Sequence, residues 1–381
     1  MIVFLSDIAW DGLRQRPQHL ASRFARTCSV LWVEPATLGH RYFHTPAEAE
    51  RGVYRMTLPM FPLNARNRLI GRIARLLSGV SVLRRMLAAI QRRLLRRAIL
   101  RVHPGDDDVV FFVENFQLMH LVDTVSGTRV LYDYIDDAFG FVDFPGHVRR
   151  DWESALRRAD VVTATSPMLE TRIRESCDRN VVIVRNGVEY ERFADPLNRT
   201  RPEDLPPAGD PIAGYIGSVY PWIDFDLLAR TAEAMPDVQF VIVGQQHPDV
   251  RLRLQQLSRI HNVRILGVRP YSEVPRYLAH FHAGIIPFRK NLLTEGVNPV
   301  KMYEYSAAGV PTVATDFSPD TRTFAELVLI ARSGEEFVDH IRTAITRRID
   351  PVFTAALRKF ARGNDWDSRA NVLSSLLFQS P

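Results

Sequence analysis

Asn298 to Thr315 reads NPVKMYEYSAAGVPTVAT. The stretch divides into a loop, an amphipathic helix, a glycine stop and a buried strand. Gly309 tolerates the left-handed conformation of a helix C-terminus, and Pro311 cannot continue a helix, so the helix ends there. Asn298, Lys301 and Glu304 fall at its start and along its first turns. A helix N-terminus presents unpaired N–H groups and the positive end of a dipole, which suits a phosphate. Lys301 adds a mobile cation. Glu304, about one turn further on, can accept two hydroxyl hydrogen bonds of the kind a ribose offers. Phosphate plus ribose is the part that nucleotide-activated donors share. A surface helix packed on a sheet, with both side chains merely solvated, gives the same pattern.

Outward from this segment the chain alternates strands with helices. Apolar, β-branched runs bounded by turn residues occur at Ile2–Ser6, Val30–Glu34, Val109–Val113, Val130–Ile135, Val161–Thr165 and Val181–Arg185. A second series follows at Ile212–Gly217, Gln239–Gly244, Val263–Leu266, Ala283–Pro287, Pro311–Thr315 and Leu327–Ile330. Helical patterns lie between most of them, which predicts parallel sheets covered on both faces. Between the series, Asp195 to Pro211 holds five Pro in 17 residues and reads as a linker. A chain of 381 residues suits two domains.

With these residues in view, the Asn298–Thr315 segment resembles the donor-site signature of nucleotide-sugar glycosyltransferases of the GT-B fold, the glycosyltransferase family 4-like or group 1 type. The resemblance covers most of residues 160 to 315 and the first 150 in outline. It implies an α/β protein of two Rossmann-like domains facing each other across a cleft, with a C-terminal helix crossing back to the first domain. Asn364 to Arg369, NDWDSR, resembles that last helix. The expected division is an acceptor domain over 1–195, a linker over 196–211, a donor domain over 212–346 and returning helices over 347–381. In the family a Glu in this helix holds the donor ribose, and Glu304 matches it. A second Glu often stands eight residues earlier, where this chain has Gly296 with Glu295 beside it.

Ligands of open parallel sheets bind beyond the C-terminal ends of strands. Gly217 and Ser218 end one such strand, and without a side chain at Gly217 a diphosphate can approach the backbone. Relatives place an Arg and a Lys just after this glycine; Ser218 and Tyr220 to Asp224 stand here instead, so the cationic work falls to Lys301, with Arg289 or Lys290 as helpers. Gly244 resembles the family's next strand-end glycine. Arg269 and Tyr271 follow the strand whose loop reads the nucleotide base in relatives, and an ordinary loop is an equal reading. Val184 to Val188, VRNGV, resembles the interdomain signature, with Asn186–Gly187 a turn.

In the first domain, Asp136 and Asp137 follow a strand. Asp136 falls near the place of a His that faces the donor sugar in many relatives. Asp136, with Asp137 beside it, is a candidate catalytic carboxylate, a base toward an acceptor hydroxyl if the reaction inverts the sugar or a stabiliser of positive charge on the ring if it retains configuration; a helix cap or a buried polar bridge is the alternative. Asp7 and Glu114, also at strand ends, are weaker candidates. Arg14, Arg16 and His19 surround Pro17 at a helix start, an arrangement suited to an anion such as a lipid-linked diphosphate. Surface arginines with a helix-face histidine give the same pattern. The Asp136–Asp137 pair is insufficient for a metal, and Cys28 and Cys177 lack metal-ligand spacing, so no metal and no bound cofactor are expected beyond a UDP- or GDP-type co-substrate. Cys28 reads as a core strand residue, and two cysteines suit a reducing cytoplasm.

The net charge of +6 is uneven. Arg51 to Gly105 carries 13 Arg and no Asp or Glu, and removing those 13 charges leaves −7 for the rest. Residues 64–101 read as one or two basic amphipathic helices fit to lie on an anionic membrane surface; a helix pair packed on its own domain is the alternative. Nucleic acid is disfavoured, since the patch lacks interleaved aromatics. No run of apolar residues is long enough to span a bilayer, and the N-terminus MIVFLSDIAWDG reads as a strand.

The resulting expectation is a metal-independent glycosyltransferase at the inner face of the plasma membrane. It moves a sugar from a nucleotide-diphosphate donor to a glycan or lipid-linked acceptor in cell-surface polysaccharide synthesis. A nucleotide-sugar 2-epimerase-like isomerase and a non-catalytic glycan-binding protein on the same fold are the alternatives.

Overall fold

The structure, a computed structural model, describes residues 1–36, 45–62, 67–105, 109–141, 146–194 and 200–378. The chain forms two compact units, one of Met1–Arg185 with Arg369–Pro381, the other of Asn186–Ser368.

The first unit contains β1 (Ile2–Leu5), β2 (Val30–Pro35), β3 (Ala47–Glu50), β4 (Val53–Leu58), β5 (Val110–Val113), β6 (Val130–Tyr134), β7 (Val161–Ala164) and β8 (Val181–Ile183). Their order is β3-β4-β2-β1-β5-β6-β7-β8. Every pairing is parallel except β3 with β4. Alternation sends Val3, Leu5, Leu31, Val33, Phe111 and Val113 into one core. The intervening Phe4 stacks on Trp32 at 4.8 Å and on Phe112 at 4.5 Å, so both faces of the sheet are buried. The β3–β4 hairpin is a strand pair that the pattern reading missed. Ala47–Glu50 alternates half-buried and exposed at the sheet edge, and Arg55 interrupts the apolar run of β4, so neither strand shows a continuous apolar signal.

The second unit contains β9 (Ile212–Ile216), β10 (Gln239–Val243), β11 (Val263–Gly267), β12 (Ala283–Ile286), β13 (Thr312–Thr315) and β14 (Val328–Ala331). The order β11-β10-β9-β12-β13-β14, parallel throughout, reverses direction between β9 and β12. That reversal is the Rossmann switch point, where the loops after adjacent strands part to leave room for a ligand. The opening segment folds as expected. Its helix runs Val300–Ala307, Gly309 takes φ 70°, and β13 follows.

Three boundaries differ from the sequence reading. The units divide between Arg185 and Asn186, inside VRNGV, because Asn186 is bonded into the second unit: its N–H donates to Asn298 Oδ1 at 2.9 Å and its Nδ2 to the Asn298 carbonyl at 2.7 Å. Residues 195–199 of the expected linker and 64–66 of the basic segment lie outside the described residues. The described part of that linker packs on the second unit, with Leu205 in its core. Of the expected returning helices, Pro351–Arg362 packs on the Val300–Ala307 helix within the second unit; the chain joins the first unit only from Arg369, within the helix Trp366–Phe378. Cys28 lies in the half-buried turn before β2 rather than in a strand, and both cysteines are free.

Candidate nucleotide-binding site

At the ends of β9 and β10 the backbones approach closely. A Cβ at Gly244 would stand 1.8 Å from the Gly217 carbonyl oxygen, and one at Gly217 would stand 2.2 Å from Lys301 Cε and 2.6 Å from Nζ. Gly217 takes φ 146° and Gly244 φ 149°, outside the range other residues favour. Lys301, at the second position of its helix, thus passes through the space that a side chain at position 217 would fill.

Lys301 Nζ lies 5.3 Å from the Tyr215 ring centroid and 5.6 Å from that of Phe288. The quadrupoles of the two ring faces attract the ammonium. Among the described residues it has no hydrogen-bond acceptor and no ion-pair partner. Burial pushes its pKa down and Glu304 pushes it back up. An ammonium held by rings, with its three N–H donors unspent, is a ready partner for an oxyanion.

Glu304 is 8% exposed. Burial pushes its carboxyl up to about 6, opposed by Lys301 and by a hydrogen bond from Tyr271 Oη to Oε1 at 3.2 Å. The helix bearing both residues is fixed at two points. Tyr305 Oη accepts from the Ile216 N–H at 2.9 Å, tying it to the end of β9. Asn298, 3% exposed, accepts at Oδ1 from Tyr303 Oη at 3.1 Å and from Asn186, and donates from Nδ2 to Asp320 at 2.7 Å. Asn298 is therefore largely committed to the protein and positions the helix start. Pro299 stands at the N-cap without a side-chain hydrogen bond to the first turn.

Ser218 is half-buried, and its carbonyl accepts from Tyr215 Oη at 2.7 Å. In the same loop Tyr220 stacks on Trp222 at 4.6 Å, and Trp222 meets Phe288 edge-on at 6.4 Å. The loop that lacks the family's cations thus carries an aromatic stack leading to the rings beneath Lys301. Tyr215, Phe288 and Tyr305 escaped the sequence reading because each looks like ordinary core; Tyr220 and Trp222, two apart in a proline-containing loop, carry a visible signal.

Other expected contributors are engaged elsewhere. Arg269 ion-pairs with Asp204 and donates to Tyr277 Oη at 2.8 Å, because the proline-rich segment brings Asp204 against it. Tyr271 meets Phe193 edge-on at 5.7 Å and has the Arg192 guanidinium 5.2 Å from its ring, so its hydroxyl supports Glu304 and its ring is already packed. Arg289 pairs with Asp226 at 3.1 Å and Lys290 stands 3.9 Å from Glu295. Asp224 and Asp226 have D-x-D spacing, which the sequence reading overlooked. Asp224 caps the following helix through the Leu227 N–H at 3.0 Å, and Asp226 is held by Arg253 and Arg289. His40 and His44, spaced as HxxxH, lie outside the described residues. No group of three His, Cys, Asp or Glu placed to hold a metal occurs among the described residues.

In the first unit Arg14 and Arg16 diverge, which corrects the expectation of an anion clamp. Arg16, 3% exposed, forks onto Asp133 through Nε at 2.8 Å and Nη2 at 3.1 Å, and its Nη1 donates to the Arg185 carbonyl at 3.0 Å. Arg14 turns outward to Ser22 at 2.7 Å and Glu50 at 3.5 Å. His19 is buried, with Nδ1 3.5 Å from Arg14 Nε. Asp137 accepts from Tyr134 Oη at 3.0 Å and the Phe139 N–H at 3.1 Å and pairs with Arg172, so it acts as a cap and bridge. Asp136 remains exposed at the end of β6. Although its surface meets solvent, protein groups crowded around it strip water from the carboxyl, and this, then the charges of Asp137 and Asp7, pushes it up to about 7, with Arg16 opposing. Asp7 is exposed at the end of β1, and Glu114 is buried at the end of β5 beneath Ser6 Oγ at 3.4 Å.

Residues 210–347 match the glycosyl transferases group 1 family. The chain is similar to TuaH of Bacillus subtilis (strain 168), whose name assigns it to teichuronic acid biosynthesis as a glycosyltransferase. They share 29% identity over 220 residues, 56% of this chain and 55% of TuaH, so the match spans about half of that protein. The fold is similar to Anabaena HepE, solved with UDP and glucose, at TM-score 0.67 and 15% identity over 100% of this chain and 99% of that one. Sucrose-phosphate synthase of Thermosynechococcus elongatus aligns at TM-score 0.73 and 15% identity, covering 98% and 97%. The family match falls on the unit that carries Gly217, Lys301 and Glu304: residues 210–347 are similar to the glycosyl transferases group 1 family, and the chain has the GT-B fold.

Proposed function

We propose that this chain transfers a sugar from a uridine-diphosphate sugar to a glycan or lipid-linked acceptor in cell-surface polysaccharide synthesis. The carrying observation is Lys301, unspent as a donor and laid across the side-chain space of Gly217, with Glu304 one turn away. The family match, the naming of TuaH and the UDP in HepE support the same reading.

In this reading the diphosphate lies against Gly217 and the first turn of the Val300–Ala307 helix. The Lys301 ammonium and helix N–H groups stabilise the negative charge that grows on the departing nucleotide. The Glu304 carboxylate accepts from the ribose hydroxyls. Asp136, exposed and with a raised pKa, takes the acceptor hydroxyl proton if the reaction inverts the sugar. The reading includes peripheral contact with the inner face of an anionic plasma membrane through 64–101. No helix among the described residues is long and apolar enough to cross a membrane.

UDP should raise the melting temperature of the full chain. Lys301→Ala and Gly217→Ala should each weaken UDP binding at least tenfold in calorimetric titration, the second because its Cβ evicts the lysine. Wild-type affinity in either variant would refute the site.

A further inference from the structure

Two helices of the first unit reverse the usual distribution of side chains. In Arg68–Ser78 the buried positions are the small ones, Gly71, Ala74 and Ser78, while Leu69, Ile73, Leu76 and Leu77 face solvent, Leu76 at 76% exposure. A helix that folds only against its own domain does the opposite and buries its large apolar stripe. The next helix, Ser81–Val102, behaves conventionally in its second half, where Leu95, Ala98 and Ile99 are buried. Its first half does not: Val82, Met86 and Ile90, four apart on one line, are 60%, 59% and 52% exposed.

The outward leucines are bordered by exposed Arg72, Arg75 and Arg85, and no acidic residue occurs between 51 and 105. A second copy seated on this face would oppose arginine to arginine. An anionic bilayer satisfies both components at once, apolar side chains entering the acyl boundary and guanidiniums pairing with lipid phosphates. We infer that Arg68–Ser78 and the first half of Ser81–Val102 form a hairpin that inserts shallowly into anionic phospholipid. The hairpin lies in the interface plane, since neither helix can span. The inference rests on the membrane contact in the proposed function and deepens it, naming the side chains that insert. It predicts an enzyme whose acceptor domain is held at the headgroup layer.

The test is co-sedimentation of the full chain with vesicles of phosphatidylcholine alone and of phosphatidylcholine mixed with phosphatidylglycerol. The chain should partition onto the mixed vesicles about tenfold or more above the neutral ones. Leu76→Ser with Met86→Ser should lower partition onto mixed vesicles about tenfold, by removing apolar contact. Arg72→Gln with Arg75→Gln should lower the preference for mixed over neutral vesicles and its sensitivity to salt. All three proteins should keep the melting shift with UDP, which shows that they are folded and reports separately on the nucleotide site. No binding, equal binding to both vesicles, or serine variants that bind like wild type would overturn the inference. So would a wild-type dimer in sedimentation velocity that the serine variant dissolves, which assigns the face to a second copy.

Discussion

Glu304 is a carboxyl kept where it ionises reluctantly. Burial moves it from its ordinary value of 4.5 to about 6, with Lys301 acting against the move. Between those two values the folded chain holds the proton more tightly than the unfolded chain does. The stabilisation that this proton brings is complete below the ordinary value and is lost as pH rises through about 6. At neutral pH the ionised form costs the fold about 2 kcal/mol at most. Glu304→Gln should therefore melt higher than wild type at neutral pH, with the difference vanishing in acid. Donor binding should run the other way. Ribose hydroxyls need the carboxylate as acceptor, so wild-type affinity for UDP-glucose should fall as pH drops through about 6, while the glutamine variant stays weak and flat. UDP-glucose is the suitable probe because its diphosphate diester has no second phosphate ionisation in that window. A more stable variant with undiminished donor affinity would remove Glu304 from ribose recognition. Lys301 and Glu304 are legible in the sequence because they lie within one turn of one helix. The commitments of Arg16 and Arg269 are not, because their carboxylate partners lie 117 and 65 positions away and only the fold brings them together.

The helix Val300–Ala307 has eight residues, too few to hold its place by its own hydrogen bonds. Its position comes from tertiary contacts: Tyr303 stacked on Phe360 at 5.5 Å, the Asn298 hydrogen bonds, and Tyr305 receiving the Ile216 N–H in the core. Tyr305→Phe would leave that buried N–H without a partner, a loss of about 1–3 kcal/mol. Urea unfolding should show it as a lower midpoint with the same slope. Because Ile216 immediately precedes Gly217, the variant should also weaken UDP binding by more than its lost stability alone explains. Unchanged affinity would confine Tyr305 to the core. At this scale the regular strands are readable, since β-branched runs between turn residues have few other interpretations. The hairpin of β3 and β4 is not, since an edge pair with Ala–Glu alternation and an arginine in its run carries no apolar periodicity. Nor does the pattern reveal which side of Arg68–Ser78 faces the domain. Period alone locates a stripe of leucines, and the choice of small residues for the inward side depends on how closely the helix packs.

Among the described residues of the whole molecule, each unit gathers an apolar core on its own sheet, and the first sheet buries Phe4, Trp32 and Phe112 on its other face. The proposed nucleotide contacts all belong to the unit Asn186–Ser368. A ligand stabilises the structure whose folded state it binds, by RT ln(1 + [L]/Kd), about 2.7 kcal/mol at a hundredfold excess over Kd. For a unit of roughly 150–250 residues, each kcal/mol moves the midpoint by about 2–4 °C, so saturating UDP should move one transition upward by about 5–10 °C. Scanning calorimetry of the full chain should therefore show two transitions, of which UDP raises one and leaves the other in place. Gly217→Ala should keep both transitions, lower that of its own unit because Ala strains at φ 146°, and shrink the UDP shift because its Cβ displaces Lys301. A single transition that rises as a whole would mean that the helix Trp366–Phe378, shared by the two units, couples their unfolding. A shift confined to the other transition would place the nucleotide on the first unit, and with it the end of the assignment built on Lys301.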